Sequence, residues 1–141
     1  MSKITNFVYC LSVERENENI NANNIISVLT PEFVPGSFSF SLIFSVLDLD
    51  ISKENSVQII FKTAEGESTL VDSGEINIPI PEIKNEIDLP SEQVGLNMSM
   101  DLRNVVFEKE GLYVTNVYIN KTLLLEKEIY VKGKIINIVV K

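Results

Sequence analysis

The chain has 141 residues and a formal charge of −8 from 12 basic and 20 acidic side chains, with one cysteine, no histidine and no tryptophan. The length suits one domain that buries about two thirds of its unfolded surface without a disulfide or metal staple. Without histidine, and with Cys10 as the lone thiol, the usual zinc sites, haem ligation and Cys–His or Ser–His nucleophile systems are excluded, and the acidic balance disfavours nucleic acid and anionic membranes as partners.

The start, Met1 to Tyr9, alternates polar and apolar residues instead of forming a continuous apolar run, and acidic residues follow closely from Glu14 to Glu18. It does not read as a signal peptide, so a cytoplasmic location is expected. The same alternation predicts a first strand from Ile4 to Val13, with Phe7, Tyr9, Leu11 and Val13 on one face and Val8 and Cys10 on the other. An unpaired cysteine inside such a strand is expected to be a small, inert core residue. Residues 14–23 are charged and asparagine-rich and are expected to form a mobile turn. Asn24 to Leu29 reads as a short strand, ended by Pro31 and by the Pro35-Gly36 turn.

The clearest signal is Phe38-Ser39-Phe40-Ser41-Leu42-Ile43-Phe44-Ser45-Val46, in which every even position is large and apolar. This is a strand with one face in a core, and its length and aromatic content require pairing on both sides and cover from a second layer. Serines 37, 39, 41 and 45 are its polar or lightly packed face, and no histidine or glycine-rich elbow stands near to make them nucleophiles. Val57, Ile59, Phe61 and Thr63 alternate again and are expected to pair beside it. Gly66 marks a hairpin that returns through Ser68 to Val71. Ile76, Ile78 and Ile80 form an edge strand limited by Pro79 and Pro81.

Residues 82–94 carry no periodic pattern and are expected to cross from one sheet to the other. Leu96, Met98, Met100 and Leu102 restore the two-residue period, which slips at Val105-Val106-Phe107 as a β-bulge would make it do. Tyr113, Thr115, Val117 and Ile119 then lead through a tight turn at Asn120-Lys121 into Leu123 to Val131. Eight or nine strands with no amphipathic helix give an all-β fold, a two-sheet antiparallel β-sandwich over residues 1–141 as a single domain, with 133–141 as an extra edge strand or tail. The apolar residues of that tail, Ile135, Ile136, Ile138, Val139 and Val140, are expected to add to an open sheet edge, either their own or that of a second copy in a homo-oligomer.

The segment Glu110-Gly111-Leu112-Tyr113-Val114-Thr115 is similar to the corner and strand of immunoglobulin-like domains, where a tyrosine packs two places before the second cysteine. Thr115 stands in that cysteine's place, and the core tryptophan is missing. Over nearly the whole chain, the order of Phe7-Val8-Tyr9-Cys10, then Asn24 to Leu29 leading to Pro35-Gly36, then Gly111-Leu112-Tyr113 with its hairpin resembles a family of small uncharacterised bacterial and phage β-sandwich proteins. That family typically has Asp-Gly where this chain has Asn120-Lys121. The resemblance implies an immunoglobulin-like fold and no activity.

Asp48, Asp50 and Glu54 have the spacing of loop carboxylates that could serve a hard cation such as calcium, but no flanking glycine pattern or second aspartate loop accompanies them and a solvated loop is the stronger reading. A carboxylate pair of a hydrolase could be drawn from almost any two of the 20 acids and is not singled out by spacing. Phe38, Phe40, Phe44 and Phe61 lack a basic groove and are core residues, not a base-stacking platform. The reading from sequence is a non-enzymatic protein-interaction module, with no cofactor, and with phage-related or regulatory work as its setting; a calcium- or ligand-binding sandwich and a carboxylate hydrolase are the alternatives.

Overall fold

The alternating stretch around Phe40 forms the strand on which the first sheet is centred. The computed structural model describes residues 2–16, 19–79 and 88–134. Among these, ten strands form two sheets: β1 (Lys3–Glu16), β2 (Asn19–Ile26), β3 (Val28–Leu29), β4 (Gly36–Leu47), β5 (Asn55–Thr63), β6 (Thr69–Asp72), β7 (Ile76–Ile78), β8 (Gly95–Phe107), β9 (Gly111–Ile119) and β10 (Thr122–Val131). One sheet has the order β2-β1-β4-β8, and the other β3-β10-β9-β5-β6, with β7 also pairing to β5. Every pairing is antiparallel except that of the two-residue β3 with β10, which is parallel. This is an immunoglobulin-like β-sandwich.

Strand β4 is paired on both sides, by β1 and β8. Its Phe40, Leu42, Phe44 and Val46 are fully buried against the second sheet. Phe40 meets Phe61 of β5 edge-to-face at 5.4 Å between ring centroids, and Tyr113 of β9 stacks on Phe61 at 5.7 Å and meets Phe107 of β8 at 5.1 Å. Four aromatic rings from both sheets thus form the centre of the core, an arrangement worth roughly 0.5–1.5 kcal/mol per pair beyond burial itself.

The contact between Phe40 and Phe61 corrects one expectation from the sequence: β4 and β5 are not neighbours in one sheet but face each other across the core. Two consecutive strands with buried faces satisfy both by stacking, and residues 48–54 form the arc between the layers. A second correction concerns residues 14–23, which are not a mobile turn. β1 runs on to Glu16 and β2 begins at Asn19, with Arg15 opposite Ile20. Asparagine and glutamate are tolerated there because β2 is an edge strand with solvent on its outer side. The stretch Asn24 to Leu29 correspondingly divides, Ile25 and Ile26 pairing with β1 while Val28 and Leu29 cross to β10.

The predicted slip in β8 is present. Leu102 pairs with Phe40 and Val105 with Phe38, so β8 carries one extra residue there, and Asn104 takes φ 52° while its N–H is accepted by Ser39 Oγ at 2.9 Å. A similar extra residue at Asn6, φ 57°, lets both Ile4 and Phe7 of β1 turn toward the core. Residues 88–94, containing a single 3-10 turn at Ser91–Gln93, lead into β8 at the end of the passage between sheets. Ile80 and Pro81 lie outside the described residues, as do Ile135, Ile136, Ile138, Val139 and Val140.

The β9–β10 connection is a two-residue turn with both central residues at positive φ, Asn120 at 50° and Lys121 at 68°. This is the primed turn that matches strand twist; asparagine adopts it readily, whereas lysine pays for its Cβ. Replacing Lys121 with glycine is therefore expected to raise stability by about 1 kcal/mol, read as a higher urea midpoint at unchanged slope.

Candidate functional site

Tyr113 is the third residue of β9, and its phenol donates to the carbonyl of Lys109 at 2.7 Å, closing the β8–β9 corner as in immunoglobulin-like domains. Two residues on, Thr115 is fully buried, and its hydroxyl shares a 2.6 Å hydrogen bond with Tyr9 of the opposite sheet. Tyr9 also donates to the carbonyl of Lys127 at 3.0 Å. A polar bond between layers occupies the place where a disulfide would join them. Burial raises the Tyr9 phenol well above its usual range, against the smaller lowering effect of Thr115, so it stays protonated. Cys10 points to the outer side of its sheet but is fully buried, and burial together with Asp101 raises its thiol. It has the character of a packed residue, not of a nucleophile.

At one end of the sandwich, residues 48–54, 88–94 and the β9–β10 turn enclose a cleft of roughly 550 Å³. Asp48 and Asp50 line it; Glu54 is exposed and does not. Asp50 Oδ1 accepts from Ser52 Oγ at 2.5 Å and from Ser52 N at 3.0 Å, and these bonds hold its carboxyl below the usual carboxylate range. That shift is away from the protonated state a general acid needs. Among the described residues no group of three or more His, Cys, Asp or Glu is placed to hold a metal ion. The cleft's buried polar side chain is Asn55, whose Nδ2 donates to the carbonyls of Asp50 and Lys53 at 2.9 and 3.2 Å and whose Oδ1 accepts from Asn120 Nδ2 at 2.9 Å. Asn120 Oδ1 in turn accepts from Ser56 N at 2.9 Å. These amides hold the loop to the hairpin. Asn55→Ala should cost about 2–4 kcal/mol and speed hydrogen exchange through residues 50–54.

A second cleft, of roughly 570 Å³, lies between the edge strands β6 and β8, with Arg103, Lys109 and Glu67 at its rim. Lys109 pairs with Glu67 at 3.3 Å and Glu65 at 3.7 Å, so its charge is answered within the chain.

The outer faces of the two sheets differ. On the β2-β1-β4-β8 sheet the serine side of β4 is closed by hydrogen bonds: Ser41 Oγ donates to Asp101 Oδ1 at 2.7 Å, Ser45 Oγ to Asn97 Oδ1 at 2.6 Å, and Arg15 Nη2 to Ser99 Oγ at 2.7 Å. Ser41 is fully buried beneath these neighbours. Asp101 is held below its usual range, first by Ser41, against the opposing effect of burial, with the nearby Arg15 and Arg103 guanidinia adding to the lowering. A depressed folded-state pKa stabilises the fold above the unfolded value of about 4 and loses that contribution as pH falls through the folded value. The urea midpoint should accordingly drop as pH is lowered below about 4, and Asp101→Asn should flatten that drop.

On the other sheet's outer face, pairing register sets Val28, Tyr130 and Leu112 in one row across β3, β10 and β9. Together with Leu123 of β10 they are 40–48% exposed. Lys62, Val114 and Glu128 form the next row, followed by Ile60, Asn116 and Glu126. Asn116 is only 3% exposed, and its Oδ1 is the buried side-chain atom without a partner among the described residues. An orphaned buried carbonyl costs about 1–3 kcal/mol. The sequence carries part of this signal: if Tyr113, Thr115, Val117 and Ile119 point inward, Leu112, Val114, Asn116 and Tyr118 point outward, and that set is more apolar than a solvated face requires. The parallel contribution of β3 has no local signal.

Fold and corner define an immunoglobulin-like β-sandwich with one sheet face left partly apolar. Residues 6–132 match the family model of DUF6941, and the chain belongs to this family of unknown function. No curated protein matches it. Among solved structures it is similar to an immunoglobulin-like protein from Pseudomonas aeruginosa, with 11% identity and a TM-score of 0.46 over 94% of this chain and 97% of that one. It is also similar to an alkylpurine DNA glycosylase of Pseudomonas fluorescens, with 11% identity and a TM-score of 0.49, and to a β-glucosidase of Listeria innocua, with 8% identity and a TM-score of 0.49. The match covers 93% of this chain but 30% of the glycosylase, and 96% of this chain but 17% of the glucosidase. No helix among the described residues is long and apolar enough to cross a membrane.

Proposed function

We propose that this chain is a non-enzymatic protein-interaction module of the cytoplasm, working through the outer face of the β3-β10-β9-β5-β6 sheet. The observation that carries the reading is the registered row of Val28, Tyr130 and Leu112, three half-exposed apolar side chains on neighbouring strands. Scattered surface leucines need no explanation, but a contiguous apolar row bordered by charge is the composition of an interface. Tyrosine is also the residue type that most often anchors such contacts, since it buries a large area for little lost rotamer freedom.

The remaining surfaces support the same reading by being committed elsewhere. The opposite sheet face spends its serines, asparagines and arginines on one another. In the end cleft, Asn55 and Asn120 are saturated and Asp50 is engaged by Ser52, leaving the cleft short of converging groups for chemistry or cation binding. A partner taken up by the apolar row would be a protein surface with its own apolar centre and polar rim.

The test places a photo-crosslinking benzoylphenylalanine at position 130, where an aromatic ring already stands, and at the exposed Ser37 of the other sheet as reference. Illumination in the native host should give a protein adduct from position 130 and none from 37, and Leu112→Glu should abolish it without changing the melting temperature by more than a few degrees. Absence of a position-130 adduct, or equal adducts from both sites, would refute the reading.

A further inference from the structure

Resting on the interaction face just proposed, we infer that its occupant is a second copy of this chain, packed face to face about a two-fold axis that runs along β9. Three observations point there. The first is charge: Lys62 stands on β5, on one side of β9, and Glu126 and Glu128 stand on β10, on the other, in registered rows. None of the three forms an ion pair among the described residues. A two-fold axis along β9 carries β5 of one copy over β10 of the other, so Lys62 of each copy meets Glu126 and Glu128 of its mate, twice by symmetry. A surface that is its own electrostatic complement under rotation is what an isologous interface requires.

The second is Asn116, which sits on β9 itself, between Ile60 and Glu126. Its Oδ1 lacks a partner among the described residues. On the axis it faces the same residue of the other copy, and two side-chain amides related by a two-fold exchange a pair of N–H to O bonds, each supplying what the other lacks. Rotation of the amide about its last torsion, a soft and roughly two-fold one, brings the oxygen outward.

The third is size. Strands of two, ten, nine, nine, four and three residues, at about 4.8 Å spacing and about 3.4 Å rise, give a face of roughly 600 Å² per copy, at the lower end of the ~600–1,000 Å² per partner of stable standard interfaces. Leu112 falls on the axis beside its symmetry mate, and Tyr130 comes to lie over the β5 side of the other copy, so the apolar row is covered. Among the described residues no registered row on the other sheet's outer face joins three exposed large apolar side chains.

Sedimentation velocity on the full chain tests this. Wild type should reach twice 15.9 kDa. Lys62→Glu should weaken the dimer at least tenfold, and Glu126→Lys with Glu128→Lys should do the same, because each places like charges opposite one another at two places. The triple variant carrying all three reversals restores the complementary pattern and should recover the dimer, and the two separately reversed chains, each monomeric, should form a heterodimer on mixing. Recovery in the triple variant also shows that the reversed chains fold. A wild type that stays at 15.9 kDa up to about 1 mM, or a dimer that ignores the reversals and disappears on deletion of residues 135–141, would overturn the inference. In either of those cases a position-130 adduct to a different protein leaves the interaction reading standing, whereas absence of any adduct removes both.

Discussion

Everything in this molecule depends on two sheets being held face to face by four aromatic rings and one hydroxyl pair. Phe40 and Phe107 come from one layer, Phe61 and Tyr113 from the other, and their edge-to-face and stacked contacts fix the separation and angle of the sheets. Tyr9 and Thr115 add a hydrogen bond across the same gap. Because a buried hydroxyl left without its partner costs more than the bond itself returns, this pair specifies which residue lies over which more strongly than it stabilises. The tyrosine corner at Lys109 then fixes how the chain enters β9, and the position of β9 sets both neighbours, β5 and β10. Removing the aromatic centre would unlink the layers; removing any surface feature would leave them in place.

With the inner faces consumed by the core, whatever the protein does is done by the two outer faces, the edges and the end loops. Polar groups on three of these are engaged internally. Ser41, Ser45 and Ser39 bind Asp101, Asn97 and the bulge at Asn104, which turns the serine face into a bonded lattice and ties the edge strand β8 to its neighbour. The end cleft is likewise an anchored loop whose amides bind backbone. What is left is the β9-centred face, where apolar side chains are half-exposed and a buried amide oxygen has no partner among the described residues. The contrast between a satisfied face and an unsatisfied one, on the same scaffold, is the physical reason for proposing that recognition uses the latter.

The loop carboxylates illustrate how chemistry suggested by spacing depends on what surrounds it. Asp48, Asp50 and Glu54 lie close in sequence, but the arc between the layers brings two of them to the cleft and leaves the third outside it, and Asp50 is engaged by Ser52. Spacing along a chain sets the reach of ligands; only the backbone path sets their convergence.

The sequence by itself determined most of the strands, most of their inward residues and the sandwich. These follow from a period of two, from proline and glycine positions and from the lack of any helical pattern, all of them local properties that survive without knowledge of neighbours. Tyr113 with its corner, the slip in β8 and the Asn120-Lys121 turn were legible for the same reason. Sheet membership was not: β4 and β5 read as partners because consecutive strands usually are, and only the packing of Phe40 on Phe61 decides that they oppose each other. Residues 14–23 read as a loop because strand propensity is a statement about burial, and an edge strand escapes that requirement once β1 supplies its hydrogen bonds. The row of Val28, Tyr130 and Leu112, drawn from segments about 100 residues apart, exists only in register across three strands, and register between distant segments is a property that tertiary structure alone decides.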